Sequence, residues 1–276
     1  MSTQYLKIEN ETLSYDDQGS GQLVICAPSM GDVRAEYRFL TPRLVAAGYR
    51  VVTMDLRGLG ESSVGWSEYT VGAVGSDMLA LIKHLQAGPA LIIGDSMAAG
   101  AAVCAAADGP ELVSGLVLIG PFVRVMMPKV LSVVMAQVVA GQLWGAAFWT
   151  KYYSTLYPTN KPADFAEYLD HLKKNLKEKG RLKALRGMLS DTKAASEARL
   201  AKVKVPTHLV MGSKDPDFKQ PAQEVQTIKE RLTSTKATIQ MIEGAGHYPH
   251  AEMPEQTAAT ILEFFSTLKG RVSHGS

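Results

Sequence analysis

Cysteine is scarce: Cys26 and Cys104 are the only two in 276 residues, and no CxxC pair occurs. That excludes a disulfide framework and a thiolate zinc site. Buried, reduced thiols in a cytoplasmic protein are the expectation. HExxH is absent, and the histidines and cysteines do not cluster at metal-ligand spacings, so no metal is expected. Net charge is only +2, with no basic run interleaved with aromatics, which excludes an electrostatic case for nucleic acid. The stretch "MSTQYLKIEN" lacks the basic start and apolar core of a signal peptide. Neither an internal repeat nor a low-complexity segment is seen.

One absence is local. Between Lys129 and Lys151, "VLSVVMAQVVAGQLWGAAFWT" carries no charge. It is long enough to span a bilayer. Two glutamines, two glycines and a natural break at Ala140-Gly141 instead predict two shorter helices lining an apolar pocket, so no integral membrane span is expected.

Alternation of strand and helix patterns is what the chain has in abundance. "YLKIEN" and "TLSYDDQ" alternate polar with apolar residues and read as an antiparallel hairpin. "QLVICAP", "YRVVTMDL", "ALIIG", "GLVLIG" and "THLVMG" are short apolar runs, the pattern of strands buried on both faces. The strand "ATIQMIE" follows them. Helical spacing falls at Arg34–Ala47, Thr70–Gln86, Met97–Ala107, Gln220–Leu232 and Pro254–Leu268. This is the βαβ signature of a parallel sheet with helices on both faces. From Pro121 to about Val205 the pattern is helical only: Val130–Ala140, Gln142–Tyr157, Ala163–Lys179 and Arg181–Leu200, the last with a possible break. The lysine- and glutamate-rich stretch Ala163–Arg186 reads as a solvated outer face.

Chemistry concentrates at "LIIGDSMAAG" (Leu91–Gly100), where a strand turns directly into a helix. So sharp a turn strains the middle residue and leaves room only for Gly94 and Ala98 two positions to either side. It lifts the Ser96 hydroxyl to the helix N-terminus beside the Met97 backbone N–H. A serine needs a base. His247, in the glycine-rich "EGAGHYPHAEMPEQ", is the candidate, with His250 its rival. His84, His171, His208 and His274 read as solvated. "LVMGSKDPDF" supplies Asp215, or Asp217 two residues on, to orient the imidazole. Gly58-Leu59-Gly60 with Asp77 is a partial dinucleotide fingerprint lacking its third glycine, and is set aside.

Together with "DLRGLGESS" (Asp55–Ser63) and "GHYPHAEMPE", these motifs resemble the α/β-hydrolase fold superfamily over nearly the whole chain. The resemblance implies a mostly parallel eight-stranded sheet with helices on both faces, a core at 1–121 and 206–276, and a helical cap at 122–205. It implies the triad Ser96, Asp215 and His247, no cofactor, and an oxyanion hole from the backbone N–H groups of Met97 and Met30. The latter follows from aligning Pro28-Ser29 with the family's His-Gly, and Ser29 could add a hydroxyl. Met126, Trp144, Phe148, Trp149 and Tyr152 in the cap are candidate substrate-binding residues, along with Ser29. The expected partner is a small neutral hydrophobic ester or lactone, the chain a monomer or homodimer. Alternatives are a C–C bond hydrolase of ring-cleavage acids with Arg124 as cationic anchor, a slowly turning-over ligand receptor of the same fold, and a cofactor-free perhydrolase.

Overall fold

The structure is a computed structural model that describes residues 2–272. Eight strands form one sheet: β1 (Gln4–Ile8), β2 (Glu11–Gln18), β3 (Gln22–Ala27), β4 (Tyr49–Met54), β5 (Ala90–Asp95), β6 (Val113–Ile119), β7 (Thr207–Gly212) and β8 (Ala237–Ile242). Their spatial order is β1-β2-β4-β3-β5-β6-β7-β8. β1 and β2 are a hairpin, β2 runs antiparallel to β4, and every later pairing is parallel.

Period-two alternation divides the apolar runs between two cores. Val24, Cys26, Leu91, Ile93, Val117, Ile119 and Val210 face one layer, which holds α1 (Thr41–Ala46) and the Ile261, Phe264 and Phe265 side chains. Leu23, Ile25, Ile92, Leu116, Leu118, Leu209 and Met211 face the other, with α2 (Val71–Leu85) and α3 (Met97–Asp108). Both cysteines are free and buried. α3 is almost wholly Ala, Gly and Val, and small side chains let it approach the sheet and α2 closely: a methyl on Gly75 would meet the Ala101 carbonyl at 2.7 Å.

Five helices lie between β6 and β7: α4 (Lys129–Val139), α5 (Gly145–Thr155), α6 (Phe165–Lys177), α7 (Arg181–Ser190) and α8 (Ala194–Glu197). Two more flank β8, α9 (Pro221–Arg231) before it and the short α10 (Pro249–Glu252) after it, and α11 (Pro254–Val272) ends the described chain. Among the described residues no helix is long and apolar enough to cross a membrane; Ala140 and Gly141 break the charge-free stretch.

Some boundaries differ from expectation. Arg34–Ala47 is not one helix but a 3-10 turn at Arg34–Arg38 followed by α1. Pro42 in the first turn of α1 has no N–H to continue a preceding helix, and its ring restricts Thr41. The possible break in Arg181–Leu200, by contrast, is present: α7 ends at Ser190 and α8 starts at Ala194, after Lys193 at a left-handed φ of 64°. α6 is amphipathic rather than wholly solvated, burying Tyr168, Leu172 and Leu176.

Candidate active site

Ser96 sits between β5 and α3 at φ 53°, ψ −116°, a conformation rare for a residue with a side chain and the strain that the turn requires. A methyl on Gly94 would overlap the Ala98 carbonyl, so the turn admits nothing larger there. The Ser96 N–H donates to Ile119 O at 2.9 Å, and Phe122 N donates to Ser96 O at 3.1 Å. The end of β6 thereby holds the turn.

That same β6 end seats the histidine. Gly120, at φ 47°, leaves room for the imidazole: a Cβ there would lie 3.0 Å from His247 Cε1. The Phe122 ring packs edge-on to His247 at 5.9 Å, and the Tyr248 ring does so at 5.1 Å. Gly246 N donates to Glu252 Oε1 at 2.7 Å, and His247 N to Leu156 O at 3.0 Å, so the loop is braced by its own motif glutamate and by the end of α5.

His247 Nδ1 lies 2.7 Å from Asp215 Oδ2, both buried, and 4.0 Å from Asp217 Oδ2. Asp215 Oδ1 accepts from Asp217 N at 3.0 Å, and both Asp217 oxygens accept the Tyr152 hydroxyl at 2.6 and 2.7 Å. Asp215 is thus the imidazole's partner, while Asp217 ties the loop to α5. Burial disfavours the imidazolium, but Asp215, its hydrogen bond, Asp217 and Asp95 outweigh that and hold His247 above its ordinary pKa. Ser96 Oγ and His247 Nε2 make no hydrogen bond among the described residues; the two residues follow β5 and β8, at the carboxyl ends of parallel strands.

The loop after β7 and the histidine loop meet at Gly212, where an added methyl would overlap the backbone carbonyls of Ala245 and Gly246. Gly212→Ala is therefore expected to cost about 1–3 kcal/mol in urea unfolding and to loosen the His247–Asp215 contact. Unchanged stability and activity would show that the two loops do not meet this tightly.

The backbone N–H groups of Met30 and Met97 donate no hydrogen bond among the described residues; as the first residue of α3, Met97 has no intrahelical acceptor. Ser29 is placed differently from the substrate-facing role read from sequence. Its hydroxyl is buried against Tyr248 Oη at 2.7 Å and its N–H donates to Glu36 Oε2 at 2.8 Å. Its side chain does not line the main cavity, because the loop turns it towards the buried tyrosine.

That cavity, of about 900 Å³, is walled by Met30, Phe122 and Phe218 and, from the insert, by Met126, Met135, Phe148, Trp149 and Tyr152. Trp144 lies away from it: its indole covers Gly141, its N–H donates to Val138 O at 2.7 Å, and half its surface is exposed. The reason is the Gly141-to-Trp144 turn, which ends before α5 begins. Ser96 and His247 do not line this cavity; Phe122, which does, packs against the His247 ring. Arg124 is held bidentately by Glu224, at 2.9 and 2.5 Å. Lys193, also in the wall, gives two hydrogens to the Met188 and Asp191 carbonyls.

Other residues are more fully employed than the sequence suggested. Asp77 pairs bidentately with Arg57, at 2.8 and 2.7 Å, which accounts for it without a nucleotide. His208 is not solvated: it is buried in β7 with its ring nitrogens on Thr238 and Thr260, and burial pushes it down to about 4. His84 and His171 are exposed, and His274 lies outside the described residues. His250 is buried, stacked on Tyr37, with Nε2 3.2 Å from Glu36 Oε1. Among the described residues, two groups of side chains could geometrically share an ion, Asp215–Asp217–His247 and Glu36–Asp95–His250. In the first, the imidazole and Tyr152 already take the facing oxygens.

Residues 18–254 match the family profile described as serine aminopeptidase, S33. The chain belongs to that family of α/β hydrolases. This S33-family hydrolase is 39% identical over 109 residues to a putative non-heme bromoperoxidase, BpoC, of Mycobacterium tuberculosis, a match covering 38% of this chain and 40% of that relative's length. It is 28% identical over 267 residues to a 2-(acetamidomethylene)succinate hydrolase of Mesorhizobium japonicum, covering 92% and 91% of the two chains. A thermophilic esterase of Thermogutta terrifontis has the same fold at 21% identity, with a TM-score of 0.80 and coverage of 97% and 99%. The eight-stranded sheet is that of the superfamily.

Proposed function

We propose that the protein is a serine hydrolase of neutral, hydrophobic carboxylic esters or lactones, with residues 122–205 forming a cap over the site. The observation that carries this reading is the strained Ser96 at the rim that also holds the 2.7 Å His247–Asp215 pair, next to an apolar cavity. In the proposed reaction neutral His247 accepts the Ser96 proton as Oγ attacks the carbonyl. The Met30 and Met97 N–H groups, both free to donate, receive the oxyanion. His247 then protonates the leaving alcohol. Water, deprotonated by the same ring, releases the acid and regenerates Ser96.

Chemistry of the walls supports the neutral, apolar substrate. Methionine and aromatic side chains adapt to varied apolar shapes. Asp217 in the cavity wall disfavours an anion beside it. The C–C hydrolase alternative requires a cation free to anchor a carboxylate; Arg124 is committed to Glu224 and Lys193 to backbone carbonyls, which leaves the exposed Lys219 of the cavity wall for that role. The test is a panel of p-nitrophenyl esters from acetate to decanoate, together with aromatic esters and lactones. kcat/KM is expected to rise by at least about tenfold from acetate to medium-chain esters, as each buried methylene adds about 0.8 kcal/mol. A steady fall with chain length would refute the apolar-pocket reading, and labelling of Ser96 by a fluorophosphonate would test the nucleophile separately.

A further inference from the structure

Helix α4 is inverted for a helix in water. It buries Ser132 and Ala136 and turns Val130, Leu131, Val133, Val134, Met135 and Val138 outwards. Val130 is 77% exposed, and Leu143, at the tip of the α4–α5 turn, is 92% exposed. Trp144 continues the patch with its only polar atom satisfied by Val138 O. Isolated exposed apolar residues need no account, but a contiguous patch of this kind marks a contact surface.

The charge around the patch says what it contacts. From Leu112 to Ala163 the chain has no aspartate or glutamate. α7, which packs on α4, has none either. Lys129 on α4 and Lys183 and Arg186 on α7 border this region, and none of them forms an ion pair among the described residues. A second copy laid face to face would set cations against cations, with no acid on α4, α5 or α7 to meet them. A bilayer bearing anionic headgroups meets both features: acyl chains for the protruding side chains and phosphates for the rim.

We propose that the α4 face and the α4–α5 turn dock on the surface of a phospholipid bilayer containing anionic lipid. Met126, Met127, Met135 and Phe148 are at once exposed and part of the cavity wall. The docked face therefore surrounds the cavity mouth, and an apolar ester dissolved in the lipid enters without crossing water. That consequence for the substrate rests on the hydrolase reading above; docking itself does not need Ser96.

The test is cosedimentation of the full chain with vesicles of phosphatidylcholine alone and of phosphatidylcholine with phosphatidylglycerol. Binding to the anionic vesicles is expected, weakening as salt is raised. The double variant Val130→Glu/Leu143→Glu should lose at least tenfold in partitioning, while its kcat/KM on a water-soluble short ester stays unchanged; neither residue lines the cavity. Ser96→Ala should bind vesicles as the wild type does, which separates failure of docking from failure of the proposed chemistry. The proposal is overturned if the wild type stays in the supernatant, if the double variant binds equally well, or if sedimentation velocity shows the patch closed by a homodimer that the two glutamates dissociate.

Discussion

Ser96→Ala is expected to lower kcat on p-nitrophenyl butyrate by at least about 10³-fold, with thermal unfolding close to wild type. The asymmetry follows from the site. Ser96 Oγ makes no hydrogen bond among the described residues, so its loss leaves no buried partner stranded, and alanine occupies the strained turn no worse than serine. His247→Ala should be as severe. Asp215→Asn should cost about 10³–10⁴-fold, because an amide opposite Nδ1 no longer favours the tautomer with Nε2 free to take a proton. Asp217→Asn should be mild, since Asp217 faces Tyr152 and lies 4.0 Å from the ring. It should also move the pH profile. The base must be neutral, and the surrounding carboxylates hold the ring above its ordinary value, so activity should rise into the alkaline range. Removing one of those charges shifts the rising limb to lower pH. Retained turnover in Ser96→Ala, or a severe Asp217→Asn beside a mild Asp215→Asn, would reassign the site.

Much of this was legible in residue order because the constraints are local. A strand of small and apolar residues, then Gly94, Ser96 and Ala98, then an alanine-rich helix, admits few backbone solutions. Period-two runs likewise predicted the sheet. Where the outcome depended on contacts between distant segments, sequence was silent. Nothing near Ser29 in the chain announces Tyr248, and nothing near Trp144 says that its ring folds back over Gly141. His208 looked solvated because its two threonine partners are 30 and 52 residues away. Gly120 carried a readable signal, a glycine at the end of a buried strand next to a proline. Its purpose, clearance for the imidazole, emerges only when β6 and the histidine loop are brought together. The Arg34–Ala47 pattern broke at Pro42, where one residue's backbone overruled helical spacing, while the possible break read in Arg181–Leu200 is present at Lys193.

Stability should fall as pH rises from 6.5 to 8, and Asp95→Asn should remove part of that fall. Behind Ser96, Asp95 is fully buried and neither carboxyl oxygen has a hydrogen-bond partner among the described residues. Glu36 and His250 present atoms within 4.8 Å of it. Ionised, such a group would face an uncompensated desolvation cost. Burial first, then the neighbouring Glu36, therefore raises Asp95 well above its ordinary value. The same two causes lift Asp32 to about 8, and burial lifts Glu36 to about 7. These carboxyls keep protons in the fold that the unfolded chain releases near pH 4. Each therefore favours folding at low pH and costs about 1.4 kcal/mol per pH unit until its folded-state pKa is passed. His250, pushed down to about 3 by burial, acts in the opposite sense, but only below pH 6.5. Lys193, lowered to about 8 by burial, opposes the trend only above that pH. His247, raised, adds to the decline. Urea unfolding at pH 6.5 and 8 should thus show a loss on the order of a few kcal/mol, and the amide at position 95, which has no proton to lose, should flatten the slope. A wild type equally stable at both pH values, or an Asp95→Asn variant with the full wild-type slope, would mean that the carboxyl behind the nucleophile is ionised and paired after all.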